Sequence, residues 1–410
     1  MVCKIQRKQM QDIMQILSYN KDMKSFKITR KHILTALIIF AVLSAVFLTA
    51  SLIKSSKTFK IAFYQIPENV RTQIERQIAS RENSKIKFYI LDGTKPMPSN
   101  ASKKFSIVFA YNSKSLIDLK PKNVSAKTAD FLPTKIKYST VMHNSANYAL
   151  PVLLDHFELA VYRTYRNQLG LSVPETLEQF TTYLEAVKEK AEFPLIAIGS
   201  DDNELFGFIS TFAQSMYGAE KYQKLCTELY KSQGALSELP DDLCRVLDEI
   251  KKLQNQGLIN PSWINATKTD IEFLMKEHKL GALAAFLSTH RSLSYVLVKY
   301  YDACIFPQKE VHQEFGIIAP EICAAVLKNE SQSQKILSYL ILQEVQTELS
   351  AKTMLAPTAS VAESSDSLSD DVRFWAAASP AGPLPSLKEA AFISPERVHS
   401  YADKIREYLK

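Results

Sequence analysis

The sequence predicts an α/β protein of two lobes preceded by one membrane-spanning helix, and three observations carry that prediction. Ile33–Ile53 is a run of 21 residues with neither charge nor proline. The region after it opens as strand, helix, strand, strand, the start of a parallel α/β unit. About 357 residues follow the run, more than one hydrophobic core usually holds, so two lobes are expected.

The apolar run comes first. As a helix it would extend roughly 31 Å, the thickness of a bilayer's hydrocarbon layer, and it lacks the polar stripe of a buried core helix. It is longer than the core of a secretory signal and has about thirty polar residues before it. Leu48-Thr49-Ala50 is a poor cleavage site, because leucine stands where a small residue is wanted. Residues 33–53 are therefore expected to remain as a signal-anchor in the lipid bilayer. Residues 1–32 hold 8 basic and 2 acidic side chains, which predicts a cytoplasmic tail and an extracytoplasmic main domain on the cytoplasmic (inner) membrane. The whole chain has a net charge of +7, of which the tail accounts for +6. The remainder has 42 basic and 41 acidic groups, too even to give a nucleic-acid partner a basic face.

After the polar link Lys54–Thr58, FKIAFYQI (Phe59–Ile66) alternates as a strand, and Pro67 introduces the helical stretch ENVRTQIERQIASR. KIKFYIL (Lys85–Leu91) and FSIVFAYN (Phe105–Asn112) read as further strands. ALPVLLDHFELAVY has a strand-like start, and Pro174 opens a helix with Leu177, Phe180, Leu184 and Val187 on one face. FPLIAIGS (Phe193–Ser200) reads as a short buried strand. Helical patterns dominate from Glu204 to Leu280, broken at Gly218, Gly234 and Gly257. LGALAAFLS, YYDACIFP and FGIIAP are short apolar pieces. Ile336–Ser350 reads as one amphipathic helix, TASVAESSDSLSDD as a polar loop, and VHSYADKIREYLK as a closing helix.

Four segments in this order resemble the family 1 extracellular solute-binding proteins, the maltose-binding-protein-like receptors of ABC importers. Leu169–Phe180 resembles the family's glycine turn and proline-initiated helix, with Leu177 at the usual tryptophan position. Phe273–Leu293 resembles the segment centred on a glycine and small residues, here Gly281-Ala282-Leu283. Cys304–Ile318 resembles the strands that return to the first lobe. Tyr339–Glu363 matches a helix and proline pattern at Gln346 and Pro357. The resemblance implies a two-lobed, type II periplasmic-binding fold. Its N-terminal lobe would comprise 58–151 and about 306–356, and its C-terminal lobe 152–305 and about 357–410. It also implies a small polar solute, a sugar among the options, held between the lobes and passed to the membrane subunits of an ABC importer. Ligands of open α/β sheets sit beyond the C-terminal strand ends. That rule nominates Tyr64, Gln65, Tyr111 and Asn112 from the first lobe, with Phe206, Ser288, Thr289 and Trp375 from the second. Aromatic faces would stack on the solute, and amides and hydroxyls would orient it.

The sequence contains no GxSxG, HExxH, GxGxxG or Walker pattern, no CxxC or Cys/His cluster, and no His pair at the spacing of a helical metal site. No catalytic residue, metal or cofactor is expected, and the chain does not read as an enzyme. Asp201, Asp202 and Glu204 read as a solvated helix start. Cys226, Cys244, Cys304 and Cys323 fit either disulfides or buried free thiols. The competing functional reading is a binding-protein fold that has lost transport and serves as an anchored sensor or scaffold.

Overall fold

The computed structural model describes residues 39–40, 44, 58–81, 85–139, 142–143, 146–147, 149–232, 239–310, 315–328, 331–364, 367–392 and 394–410. Phe59–Lys410 form one compact unit and Met1–Thr58 another. The predicted tail and anchor lie almost wholly outside the described residues; of the anchor, Ile39, Phe40 and Ser44 are described and helical, the first two exposed. No helix among the described residues is long and apolar enough to cross a membrane.

In chain order the strands are β1 (Phe59–Phe63), β2 (Ile86–Ile90), β3 (Ile107–Tyr111), β4 (Met142–His143), β5 (Ala146–Asn147), β6 (Ala149–Leu154) and β7 (Phe157–Tyr162). After them come β8 (Ile196–Ala197), β9 (Ala282–Phe286), β10 (Tyr301–Cys304), β11 (Ile317–Ile318), β12 (Glu321–Val326), β13 (Ala356–Pro357) and β14 (Pro383–Leu384). Six of them make one sheet in the order β13-β6-β12-β3-β1-β2, and four make another, β10-β7-β9-β8. β1 runs parallel to β2 and β3, joined through the helix Glu68–Arg81 as the opening pattern predicts. β12 enters antiparallel between β3 and β6.

The strand period of two sorts side chains to the two faces of the larger sheet. Ile61, Phe63, Ile107, Phe109, Ile322 and Ala324 face one core. Ala62, Val108, Ala110, Cys323 and Ala325 face a smaller one. The four-stranded sheet has its own aromatic core. Phe157 meets Phe286 edge-on at 5.1 Å, Phe208 meets Trp263 at 5.1 Å, and Phe180 meets Phe306 at 5.3 Å. Gly207 belongs here because a Cβ would lie 2.5 Å from Phe157 and 2.6 Å from Phe286. Gly218, at φ 75°, kinks the long helix Asp202–Lys231 where most other residues would be strained.

The chain passes from the six-stranded to the four-stranded sheet at Asp155-His156 and returns between β10 and β12. After β13 it crosses a third time, joining the core of the four-stranded sheet at Leu384 in β14, which pairs with β11 in a separate two-stranded sheet. Three expectations need correction. Ser331–Leu340 and Gln343–Thr353 are separate helices, because Leu342 is extended (ψ 146°) between them. The polar stretch after Pro357 runs into a helix, Ser367–Ala378. Residues 357–378, expected with the second lobe, instead contribute Ala359, Ala362, Val372 and Ala376 to the core of the six-stranded sheet. They stay there because β13 pairs with β6. Among the described residues, Cys226, Cys244, Cys304 and Cys323 form no disulfide.

Candidate functional site

β1 and β3 are neighbours, so their C-terminal ends present Tyr64, Gln65 and Tyr111 side by side. Tyr64 is fixed by its amide, which donates to Phe109 O at 2.9 Å, and by its hydroxyl, which donates to Lys95 O at 3.0 Å. Gln65 takes a left-handed backbone (φ 54°), and its Nε2 donates to Gly93 O at 3.0 Å. Such a conformation in a non-glycine residue is uncommon and collects at functional positions.

These residues form one wall of a cavity of about 520 Å³. The opposite wall comes from the start of the helix Asp202–Lys231, from the helix Leu387–Ala391 and from the first turn of the helix Pro395–Leu409. Its polar residues include Ser200, Asp201, Asp202, Asn203, Lys388 and Glu389. The volume suits a small molecule.

Each charged group in the second wall has a structural partner. Asp201 caps its helix by accepting from the amides of Asn203 and Glu204 at 2.8 and 3.0 Å. Asp202 accepts from Arg406 at 2.6 Å and pairs with His399 at 2.9 Å, and the Asp202 carboxylate raises the His399 pKa. Lys388 Nζ donates to Asn203 Oδ1 at 2.9 Å, lies 3.6 Å from Glu389 Oε1 and sits 5.5 Å from the Tyr111 ring centre. Glu389 is 6% exposed; its Oε2 accepts from Ser386, and its Oε1 is buried without a hydrogen-bond donor.

Behind the cavity lies a group of buried carboxyls. Asp155, at the first crossing, accepts from the Ser288 amide at 3.0 Å and hydroxyl at 2.6 Å, and burial pushes its pKa up to about 7. Glu204 accepts from the Phe286 amide at 3.0 Å and from the Thr289 hydroxyl, and burial pushes it up to about 8. Glu158 pairs with His290 in the interior. The Tyr111 pKa is also pushed up, first by burial and then by Asp155 and Glu389.

Of the eight residues nominated from sequence, Tyr64, Gln65 and Tyr111 line this cavity. Phe206 is corrected. It is fully buried against Phe392, 5.4 Å between ring centres, and it is Phe392 that reaches the cavity. Asn112 turns away, donating through Nδ2 to Glu321 at 2.8 Å. Ser288 and Thr289 hold Asp155 and Glu204 rather than lining the cavity. Trp375 lines a different cavity of about 340 Å³ and meets His156 edge-on at 5.4 Å. Glu204, read as part of a solvated helix start, is 4% exposed because two donors from the neighbouring β9 end require it. Lys388, Glu389 and Phe392 carry no sequence signal, and His399 only that of the closing helix.

No protein-family profile matches the sequence, and no curated relative matches it. Solved structures do. A binding protein, MsmE, from Bacillus subtilis, in an open conformation, superposes with a TM-score of 0.67 at 15% identity, over 87% of this chain and 94% of that one. The bacterial solute receptor AcbH, described by its preference for β-D-galactopyranose, gives 0.64 at 10% identity, over 86% and 93%. A sugar transporter from Bacillus licheniformis, in complex with stachyose, gives 0.59 at 13% identity, over 85% and 98%. The chain has the mixed α/β fold of the two-lobed solute-binding proteins.

Proposed function

We propose that this chain is a solute-binding protein that captures a small polar solute in the cavity at the ends of β1 and β3 and delivers it to the membrane subunits of an ABC importer. The observation that carries the reading is the cavity itself, walled on one side by strand ends of the six-stranded sheet and on the other by helices packed on the four-stranded sheet. Opening and closing of such walls about three chain crossings would admit and enclose a solute. The lobes would be 58–154 with 317–378, and 157–305 with 383–410. Ile33–Ile53 would hold the protein to the cytoplasmic membrane with its main domain outside, which suits a receptor that hands solute to an importer.

The sensor or scaffold alternative draws support from Lys388, which already occupies part of the cavity. A thermal-shift screen of the full-length chain in mild detergent separates the two. A solute at 100 times its Kd stabilises by about 2.7 kcal/mol. Transport predicts at least one sugar, amino acid or amine with that effect, and the scaffold reading predicts none.

A further inference from the structure

Resting on that reading of the cavity, we infer that its solute carries a primary ammonium group, which takes the place now held by the Lys388 side chain. The position is defined by three contacts of Lys388 Nζ: Asn203 Oδ1 at 2.9 Å, Glu389 Oε1 at 3.6 Å and the face of Tyr111 at 5.5 Å. Two oxygen acceptors beside an aromatic face are the ordinary surroundings of a bound ammonium. The chain therefore already binds one there, tethered.

The tethered cation leaves its partner incompletely satisfied. Glu389 is more than nine-tenths buried, yet at 3.6 Å its Oε1 is within ion-pair range of Lys388 and outside hydrogen-bond range. A buried carboxylate oxygen without a donor is costly. A free ammonium, not constrained by attachment to the neighbouring residue, can approach Oε1 to hydrogen-bond distance and keep both Asn203 and Tyr111. Lys388 can yield, because its side chain is 27% exposed on a flexible stem.

Charge decides between solute classes. Asp201, Asp202 and Glu389 line the cavity with Lys388 and His399; Arg406 neutralises Asp202 at 2.6 Å, and once Lys388 is displaced Asp201 and Glu389 leave the site net negative. An anion would meet this field unfavourably. A neutral polyol could donate a hydroxyl to Glu389 but would have to do so beside a lysine already in place. Tyr64, Tyr111 and Phe392 supply further aromatic surface for a cation.

Titration calorimetry on the full-length chain in detergent tests this, using 1,4-diaminobutane and glucosamine against glucose, galactose and raffinose. The two amines are expected to bind and the neutral sugars to bind at least tenfold more weakly. Lys388→Ala removes the tethered competitor, so amine affinity should rise about tenfold, as the fraction of open site rises. Glu389→Gln should lower amine affinity by about tenfold or more, with folding verified by circular dichroism. Binding of a neutral sugar with no response to either amine overturns the inference and leaves the solute-binding reading intact. So does an amine that binds Lys388→Ala no better than the parent. If no solute of any class binds, the reading of the cavity fails and the inference falls with it.

Discussion

The two walls of the cavity are built by different rules. The wall from the six-stranded sheet is uncharged and comes from strand ends adjacent in the sheet: Tyr64, Gln65 and Tyr111. The wall from the four-stranded side is charged and assembled from segments nearly two hundred positions apart, residues 200–203 and 388–399. Its interior also holds more ionisable groups, with Glu158, Glu204 and His290 buried beside a dense aromatic core. The contrast assigns shape to the first wall and selectivity to the second. Polar groups taken from water must each keep a partner, so the second wall is where substitutions should change pH response and solute choice.

The largest expected effect tests whether the aromatic core underlies the charged wall. Trp263→Ala should cost about 3–5 kcal/mol, since it empties a fully buried site against Phe208. Chemical denaturation measures this, and a loss below about 1 kcal/mol would show that the core repacks freely. Gly207→Ala should cost roughly 1–3 kcal/mol by driving a methyl into Phe157 and Phe286.

The next prediction concerns pH. Burial holds Asp155 near 7 and Glu204 near 8, above the usual carboxyl range. The folded protein therefore keeps protons that the unfolded chain releases above about pH 4, and these groups lower stability as pH rises from there to their folded values. His156, held near 3 by burial, slopes the other way below about 6.5, so the comparison must be made between variant and parent. Asp155→Asn should gain on the parent between pH 4.5 and 8, by roughly 1–3 kcal/mol. Parallel curves would mean that Asp155 ionises freely in the folded protein. The smallest effect is expected in the uncharged wall, where Tyr64→Phe removes the hydroxyl that donates to Lys95 O and accepts from Gln65 Nε2, and should cost about 1 kcal/mol with little pH dependence.

The same contrast explains what could be read from sequence. Alternation in Phe59–Ile66 and the apolar run of Phe105–Asn112 mark strands, and a parallel arrangement of strands puts their C-terminal ends at a ligand position. Tyr64, Gln65 and Tyr111 follow from that local logic. The charged wall does not, because Lys388, Glu389 and His399 reach the cavity only after the chain's third crossing, and an amphipathic period says which face is buried without saying against what. Phe206 and Phe392 are equally aromatic in sequence, and only packing decides that the first is sealed and the second lines the cavity. The helix break at Leu342 has no mark in the sequence, because the apolar spacing runs through it without a proline or glycine.

The central claim is that the space between these two walls holds the solute. Ser113 lines that space and its side chain does not cap the following helix, so Ser113→Trp should fill the space while leaving the fold intact. The direct measurement is the melting temperature of parent and Ser113→Trp, with and without the solute that stabilises the parent most. The account predicts a clear rise in the parent and none in the variant, whose own unliganded melting temperature should stay near that of the parent. An equal rise in both proteins would place the solute elsewhere and contradict it.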